Sequence, residues 1–593
     1  MALVTVLVAP ADASARDFAV TSFDGTRIEA HFFPAKGLAG GSRAPTVLYG
    51  PGWGNGGSTN QDNGTNEANG TVGIGTLRGA GYNVLTWDPR GFGGSGGDAK
   101  WDSPHYEARD VQALMDALAG FPEARLDAAG DPRVGMHGAS YGGGIQWATA
   151  AIDSRVDAIT PVVAWHSLVS SLYKGGIFKA GWGSVLCGLG TAQGTSTGLV
   201  NPDGVQAGSM DSHMYSICSS GTLTSRLSSN DQAWLGDRGP GTTWMERVRT
   251  PALVLHGTVD TLFTLQEAID NFRVLRANDV PTRMLWFCGG HGTCRTSRGA
   301  ERYFEAAVLR WLAAYLKGGD RSATGPRFEW LDQNGAWHGA SDYPLASAGT
   351  IQATGGGTLQ LIAGDAASSG TATSATPSAS GVDISIPAPG GRVNLVGAPT
   401  LQLDYRAQGT TATARAYAQI VDGDRDIVVG SQVTPLPLEL DNQAHTLELS
   451  LEPLAYALSP SSSLRLELIP ATNVYGNQRS NGKVELMRVA LTLPLGKSPV
   501  SQPPGPSPGE SCEPTFRPRS VERRDDGRVR LRPRVRCGGE KLRVRVRISD
   551  GRKRWSRRSG KVHVLPVRPR ARRLRVRLRH DGRTYRMRVP IRR

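Results

Sequence analysis

The chain has 593 residues, 39% of them hydrophobic, enough for three or four domains with packed cores, and no apolar run is long enough to cross a membrane as a helix. Its net charge of +15 is an uneven average: residues 511–593 hold 31 Lys and Arg against 7 Asp and Glu, a net of +24, which leaves −9 for the rest. The basic character therefore describes a tail and excludes any inference from charge about a substrate of the main body.

The chain opens on a short apolar run, Met1-Ala-Leu-Val-Thr-Val-Leu-Val-Ala-Pro10, followed by Ala13-Ser14-Ala15, a small-x-small cleavage pattern. This reads as the remnant of a signal peptide over residues 1–15, with export as the expectation and a secreted or envelope-associated protein as the result. The six cysteines fall into three local pairs, Cys187 with Cys218, Cys288 with Cys294 and Cys512 with Cys537. An even count with local pairing predicts three disulfides and an oxidising compartment. No CxxC or HxxxH spacing marks a zinc site, and neither metal nor cofactor is expected.

Residues 16–320 alternate β-branched runs with amphipathic patterns. Strands are predicted at 46–49, 83–87, 134–137, 158–163, 252–256 and 282–287, with helices at 106–119 and 301–316 among them. This alternation predicts an α/β fold, a mostly parallel sheet covered on both faces. Between 164 and 249 the pattern breaks into Gly- and Ser-rich helical pieces, as a cap above the sheet would.

Gly138-Ala-Ser140-Tyr-Gly142 follows a predicted strand and precedes a helical pattern at 144–152. A nucleophile elbow needs that context, because the serine occupies a strained turn whose neighbours must be small. The helix start then offers backbone N–H groups to a developing oxyanion. A serine hydroxyl needs a base, and in hydrolases of this fold the order along the chain is Ser, acid, His. Four histidines follow Ser140 within the region. His256 lies inside a strand, and His166 and His213 lie in the cap. His291, in the loop Gly289-Gly-His-Gly292 after the last strand, is the predicted base. Asp260, closing the turn after strand 252–256, is the predicted acid, with a helix N-cap role as the competing reading. The Trp53 amide, from Tyr49-Gly-Pro-Gly-Trp53-Gly-Asn55, is the predicted second oxyanion donor beside the Tyr141 amide.

Beyond 320 the helical periodicity stops. Alternating segments at 358–361, 400–405, 412–420, 444–451 and 463–469 predict an all-β sandwich or jelly roll over 321–496. A Pro-rich linker occupies 497–511, its core the stretch 498–510. In 512–593, the runs Arg528-Val-Arg-Leu-Arg532, Lys541-Leu-Arg-Val-Arg-Val-Arg547 and Arg573-Leu-Arg-Val-Arg-Leu-Arg579 put apolar side chains on one strand face and basic ones on the other. They predict a small β domain with an Arg-covered exterior and hairpin turns at Asp550-Gly551 and Asp581-Gly582.

Four segments carry a family resemblance. They are Trp87-Asp-Pro-Arg-Gly-Phe-Gly-Gly-Ser-Gly-Gly97, Gly135-Met-His-Gly-Ala-Ser-Tyr-Gly-Gly143, His256-Gly-Thr-Val-Asp260 and Gly290-His291. Together they resemble the Xaa-Pro dipeptidyl-peptidase and cocaine-esterase family, peptidase family S15. Phe328-Glu-Trp-Leu-Asp-Gln-Asn-Gly-Ala-Trp-His338 resembles the entrance to that family's jelly roll, so the likeness spans about residues 20–495. It implies an α/β-hydrolase with a helical cap and a jelly roll, acting on an ester, an amide or an Xaa-Pro peptide bond. Members commonly supply a Tyr hydroxyl from the early loop to the oxyanion hole. Gly-Pro-Gly-Trp replaces it here and favours a backbone donor. The Arg-rich tail lies outside the resemblance.

Two function classes remain open on the sequence. One is a serine hydrolase of esterase or acylase type, with Xaa-Pro dipeptidyl-peptidase as its variant and a small ester or short peptide as substrate. The other is a surface-binding protein whose tail meets an anionic cell-envelope polymer. Nucleic acid is not an expected partner, because no aromatic stacking pattern accompanies the arginines.

Overall fold

The structure is a computed structural model that describes residues 14–196, 209–365, 370–497 and, with short breaks, 515–591. Ten strands build the first sheet: β1 (Arg16–Thr21), β2 (Arg27–Phe33), β3 (Thr46–Tyr49), β4 (Asn83–Trp87), β5 (Val134–Ala139), β6 (Val156–Val162), β7 (Ala252–Gly257), β8 (Thr282–Phe287), β9 (Phe328–Leu331) and β10 (Trp337–Ala340). Their order is β1-β2-β4-β3-β5-β6-β7-β8-β9-β10. From β4 to β9 every pair is parallel. The pairs β1-β2, β2-β4 and β9-β10 are antiparallel. The central strands are buried on both faces, which is why they read as continuous apolar runs.

Amphipathic helices cover the sheet. Helix α1 (Glu107–Ala119) buries Val111, Leu114, Met115 and Leu118, the three-and-four spacing of one helix face. Helix α2 (Tyr141–Ala150) is buried throughout. In the region expected as a cap, α3 (Ala180–Ser196) and α4 (Ser212–Thr224) are joined by the Cys187–Cys218 disulfide. Helix α3 is rich in glycine, a poor helix former. The glycines serve packing: a Cβ at Gly183 would lie 2.3 Å from the Phe178 ring. Helices α5 (Leu265–Ala277) and α6 (Tyr303–Leu316) complete the layer.

The sheet runs past the boundary expected at 320. Phe328 to Trp330 pair with Met284 to Trp286 of β8, and the chain turns back through Asp332–Gly335 to form β10. The reason is apolar: Phe328 and Trp330 are fully buried beside Trp286. The all-β region therefore begins near residue 347. There a nine-stranded sheet is organised by Thr400–Asp422. The sequence predicted two separate strands at 400–405 and 412–420. Instead one 23-residue strand passes through Gly409, with register shifts between Arg406 and Thr413 absorbing the irregular stretch. It pairs in turn with Thr434–Ser450, Leu464–Ile469 and Gly482–Gly496. Leu401, Leu403, Tyr405, Leu466, Val489 and Leu491 lie in its core.

Residues 504–593 form a second compact unit. A four-stranded sheet contains Arg545–Ser549, Arg554–Arg558, Arg573–His580 and Arg583–Pro590. Val546, Ile548, Leu574, Val576 and Val589 are buried beneath it. Arg547, Arg573, Arg575, Arg577 and Arg588 are exposed. Residues 1–13, Cys512 and the turn at Asp581-Gly582 lie outside the described residues. Among those described, no helix is long and apolar enough to cross a membrane.

Candidate active site

In a parallel sheet the carboxyl ends of the strands share one edge, and loops leaving that edge converge. Ser140 follows β5, Asp260 follows β7, His291 follows β8 and Trp53 follows β3, so all four predicted residues leave the sheet on one side.

Ser140 has φ 58° and ψ −118°, a conformation that costs a non-glycine residue about 1–3 kcal/mol. Its N–H donates to the Val162 carbonyl at 2.9 Å, and its own carbonyl accepts from Gly143 and Gly144 at 2.8 Å each. The turn is feasible because backbone passes backbone. A Cβ at Gly142 would stand 2.2 Å from the Gly50 carbonyl oxygen. That approach brings the Gly50–Trp53 loop against the start of α2, whose first N–H groups have no acceptor within the helix. The Trp53 ring meets Phe92, Trp101 and Tyr141 at 4.9, 5.4 and 5.2 Å, and its Nε1 donates to the Leu186 carbonyl of α3 at 2.9 Å. The cap thus rests on the loop beside the elbow.

Asp260 and His291 are in direct contact. Asp260 Oδ2 lies 2.7 Å from His291 Nδ1 and accepts the His291 backbone N–H at 3.0 Å. Its Oδ1 accepts the N–H groups of Leu262 and Phe263 at 3.0 and 2.9 Å. Asp260 is fully buried. Burial opposes its ionisation, but the attraction of His291 and these hydrogen bonds outweigh it, and its pKa is held below the usual carboxylate value. The N-cap position of α5 belongs to Thr264, so Asp260 does not cap that helix.

The His291 loop requires its glycines. Gly290 has φ 96°, and a Cβ at Gly292 would lie 1.5 Å from the Val259 carbonyl oxygen. The Cys288–Cys294 disulfide closes the loop. The imidazole stands between Phe263 and Trp182 at 5.2 and 5.7 Å, both edge-on. With Nδ1 engaged by Asp260, Nε2 is the nitrogen that remains for exchange with a hydroxyl.

The other histidines have structural partners. His256 is buried with Nε2 2.8 Å from the Phe263 carbonyl, and His166 contacts Asn271 at 2.9 Å. His213 stacks on Trp234. Sequence reasoning missed three residues that hold the acid turn: Lys179, Trp182 and Gln432. A lone lysine inside the apolar stretch Ile177-Phe-Lys-Ala180 was the one available signal.

The family match and the shared fold support a hydrolase of the ester- or peptide-cleaving type. Residues 24–293 match the family X-Pro dipeptidyl-peptidase (S15 family), and over this span the chain resembles that family. The fold is shared with a CocE/NonD family hydrolase from Staphylococcus aureus, at 14% identity and TM-score 0.56, covering 84% of this chain and 99% of that one. It is shared also with an alpha-amino acid ester hydrolase, at 13% identity and TM-score 0.58, over 84% and 98% of the two chains. An aminopeptidase from a marine sediment archaeon, Thaumarchaeota archaeon, aligns at 12% identity with TM-score 0.61, over 84% and 99%. No curated protein matches the sequence.

Proposed function

We propose that the protein is a serine hydrolase that cleaves an ester or amide bond through an acyl-enzyme on Ser140, acting chiefly as an esterase or acylase. The observation that carries the reading is the buried Asp260–His291 pair on the same sheet edge as a serine held at φ 58°. Ser140 Oγ attacks the substrate carbonyl while His291 Nε2 takes its proton. Asp260 fixes the tautomer and stabilises the imidazolium. The tetrahedral oxyanion is received by the Tyr141 and Trp53 amides. Collapse breaks the bond to the leaving group, which takes the proton from His291. Water then repeats the sequence and frees Ser140. No step calls for a metal or cofactor.

The wall around His291 and the elbow is aromatic, made of Trp53, Trp182 and Phe263, and suits an apolar acyl or alkoxy group. Xaa-Pro dipeptidyl-peptidase is the second reading, favoured by the family match over residues 24–293. A substrate panel separates them: p-nitrophenyl esters of several chain lengths against a Gly-Pro anilide, with Ser140→Ala as blank. Turnover of the esters alone supports the first reading, and turnover of the anilide alone replaces it with the second.

We propose three domains: a catalytic domain with its cap, which carries this activity, a jelly roll and the basic tail. Export fits the two disulfides, and Cys512–Cys537 is the third pair proposed. The tail is assigned to an anionic envelope polymer on charge complementarity.

A further inference from the structure

Every carbonyl of the acid turn is held from outside the turn. Asp260 O accepts from Gln432 Nε2 at 2.9 Å. The carbonyls of Thr261 and Leu262 accept from Lys179 Nζ at 3.0 and 2.8 Å. Phe263 O contacts His256 Nε2 at 2.8 Å. The Thr261 hydroxyl donates to Ala372 O and accepts from Trp182 Nε1.

The two Lys179 bonds have a particular consequence. The Thr261 carbonyl and the Leu262 N–H belong to one peptide group, and the Leu262 carbonyl and the Phe263 N–H to the next. The carbonyl ends of both groups face the Lys179 ammonium, and their N–H ends face Asp260 Oδ1. Two peptide dipoles thus stand in parallel between a cation and the catalytic carboxylate. A cation on the carbonyl side polarises each peptide and strengthens its N–H as a donor.

We propose that Lys179 is a positioning residue for the catalytic base, acting through the peptide groups 261–262 and 262–263 to hold Asp260 ionised and in place against His291. The inference rests on the reading of Asp260 and His291 as a catalytic pair. Lys179 lies just before α3, at 2% exposure. A buried ammonium is costly, and an apolar residue of the same length would avoid that cost. The buried Glu452 takes its ion pair from Lys174 instead. Glu452 also accepts from Thr264 Oγ1 at 2.7 Å, so the all-β region reaches the same turn twice, through Glu452 and Gln432.

The charged groups facing Lys179 are Glu452, Lys174, Glu267 and Asp260, with the Tyr475 ring 5.6 Å away. Burial is the largest influence and lowers its pKa to about 8, Glu452 opposing. His291 is faced by Asp260 and by the Phe263 and Trp182 rings. In Lys179→Met the imidazolium loses a repelling cation, and Asp260, less satisfied by its peptides, attracts it more. Both changes alter the Asp260–His291 hydrogen bond, which the Nδ1–H resonance reports.

The test is Lys179→Met in the full chain, with kcat and KM on a p-nitrophenyl ester across pH. It is paired with the low-field proton resonance of the His291 Nδ1–H. We expect kcat to fall by up to about 100-fold, as for a small displacement of a catalytic group. KM should stay near wild type, and the Nδ1–H resonance should shift from its wild-type position. A change in KM alone, or an unmoved Nδ1–H resonance in a folded variant, makes Lys179 an ordinary cap lysine. If Lys179→Met does not fold, Lys179→Gln, which keeps a donor without the charge, decides: kcat and an Nδ1–H resonance equal to wild type overturn the proposal. Fluorophosphonate labelling of Ser140 in wild type reports the catalytic reading separately. Absent labelling sinks that reading, and the resonance still reports the Lys179 relay.

Discussion

In the proposed hydrolase Asp260 ties chemistry to stability, because one fully buried carboxylate makes four contacts with nitrogen groups. Asp260→Asn keeps the shape but presents an amide where His291 Nδ1 needs an acceptor of full charge. We expect kcat to drop by about 10⁴-fold, the size of loss seen when this member of such a unit is removed. The pH dependence follows from the lowered pKa. A carboxyl with a folded pKa below its unfolded value, about 3.9, contributes stability that is present above that value. The contribution is lost as pH falls through the folded pKa. The melting temperatures of wild type and Asp260→Asn should therefore differ at neutral pH and converge in acid. A gap that stays constant down to low pH contradicts this account. The Asp260–His291 contact and the Ser140 turn were legible because each residue sits in a spacing that the proposed chemistry dictates. Lys179 and Gln432 were not, since their contacts join segments about 80 and 170 residues away and leave no local pattern.

At the scale of elements, the elbow and the base loop are both held by close backbone approach. Gly142→Ala places a methyl group 2.2 Å from the Gly50 oxygen, so the Gly50–Trp53 loop must retreat from the start of α2. Loss of ester hydrolysis together with fluorophosphonate labelling is expected, and normal labelling would mean that the loop does not meet the elbow. The base loop is closed by Cys288–Cys294, only six residues apart. Loop-closure entropy for so short a loop gives roughly 2 kcal/mol at most, so the larger effect of opening it should be on the placement of His291. Cys288→Ser with Cys294→Ser should lower kcat several-fold with a modest fall in melting temperature. If the melting temperature collapses while kcat at low temperature is intact, the bond serves stability alone. The parallel core strands were readable from their apolar runs. Strand β9 was not, because its register against β8 is set by Trp286, Phe328 and Trp330 meeting across 40 residues. The passage of Thr400–Asp422 through Gly409 was equally hidden, since a glycine between threonines looks the same at a bulge and at a turn.

At the scale of the whole molecule, the chain should tolerate a cut in one linker and not in another. The Glu452 and Gln432 contacts to the acid turn predict that a chain ending at 340 loses activity although it keeps Ser140, Asp260 and His291. A chain ending at 497 keeps every contact described for the site and should hydrolyse small soluble esters as the full chain does. What it should lose is attraction to polyanions. In the four-stranded sheet of the tail, Arg547 stands directly opposite Arg577, and Arg575 opposite Arg588. Like charges directly across a sheet repel, and counter-anions relieve that repulsion. Exposed Arg573, Arg575 and Arg577 alternate with buried Leu574 and Val576, a spacing of about 6.8 Å between successive charges along the strand. A linear polyanion laid along that row neutralises several arginines at once and releases its own counterions. Retention of the full chain on a polyanion resin or on cell-wall material should therefore fall steeply with salt, and the chain ending at 497 should pass through unretained. Equal retention of the two chains removes the tail from any binding role. Loss of ester hydrolysis in a folded chain ending at 497 places the tail in the active site instead.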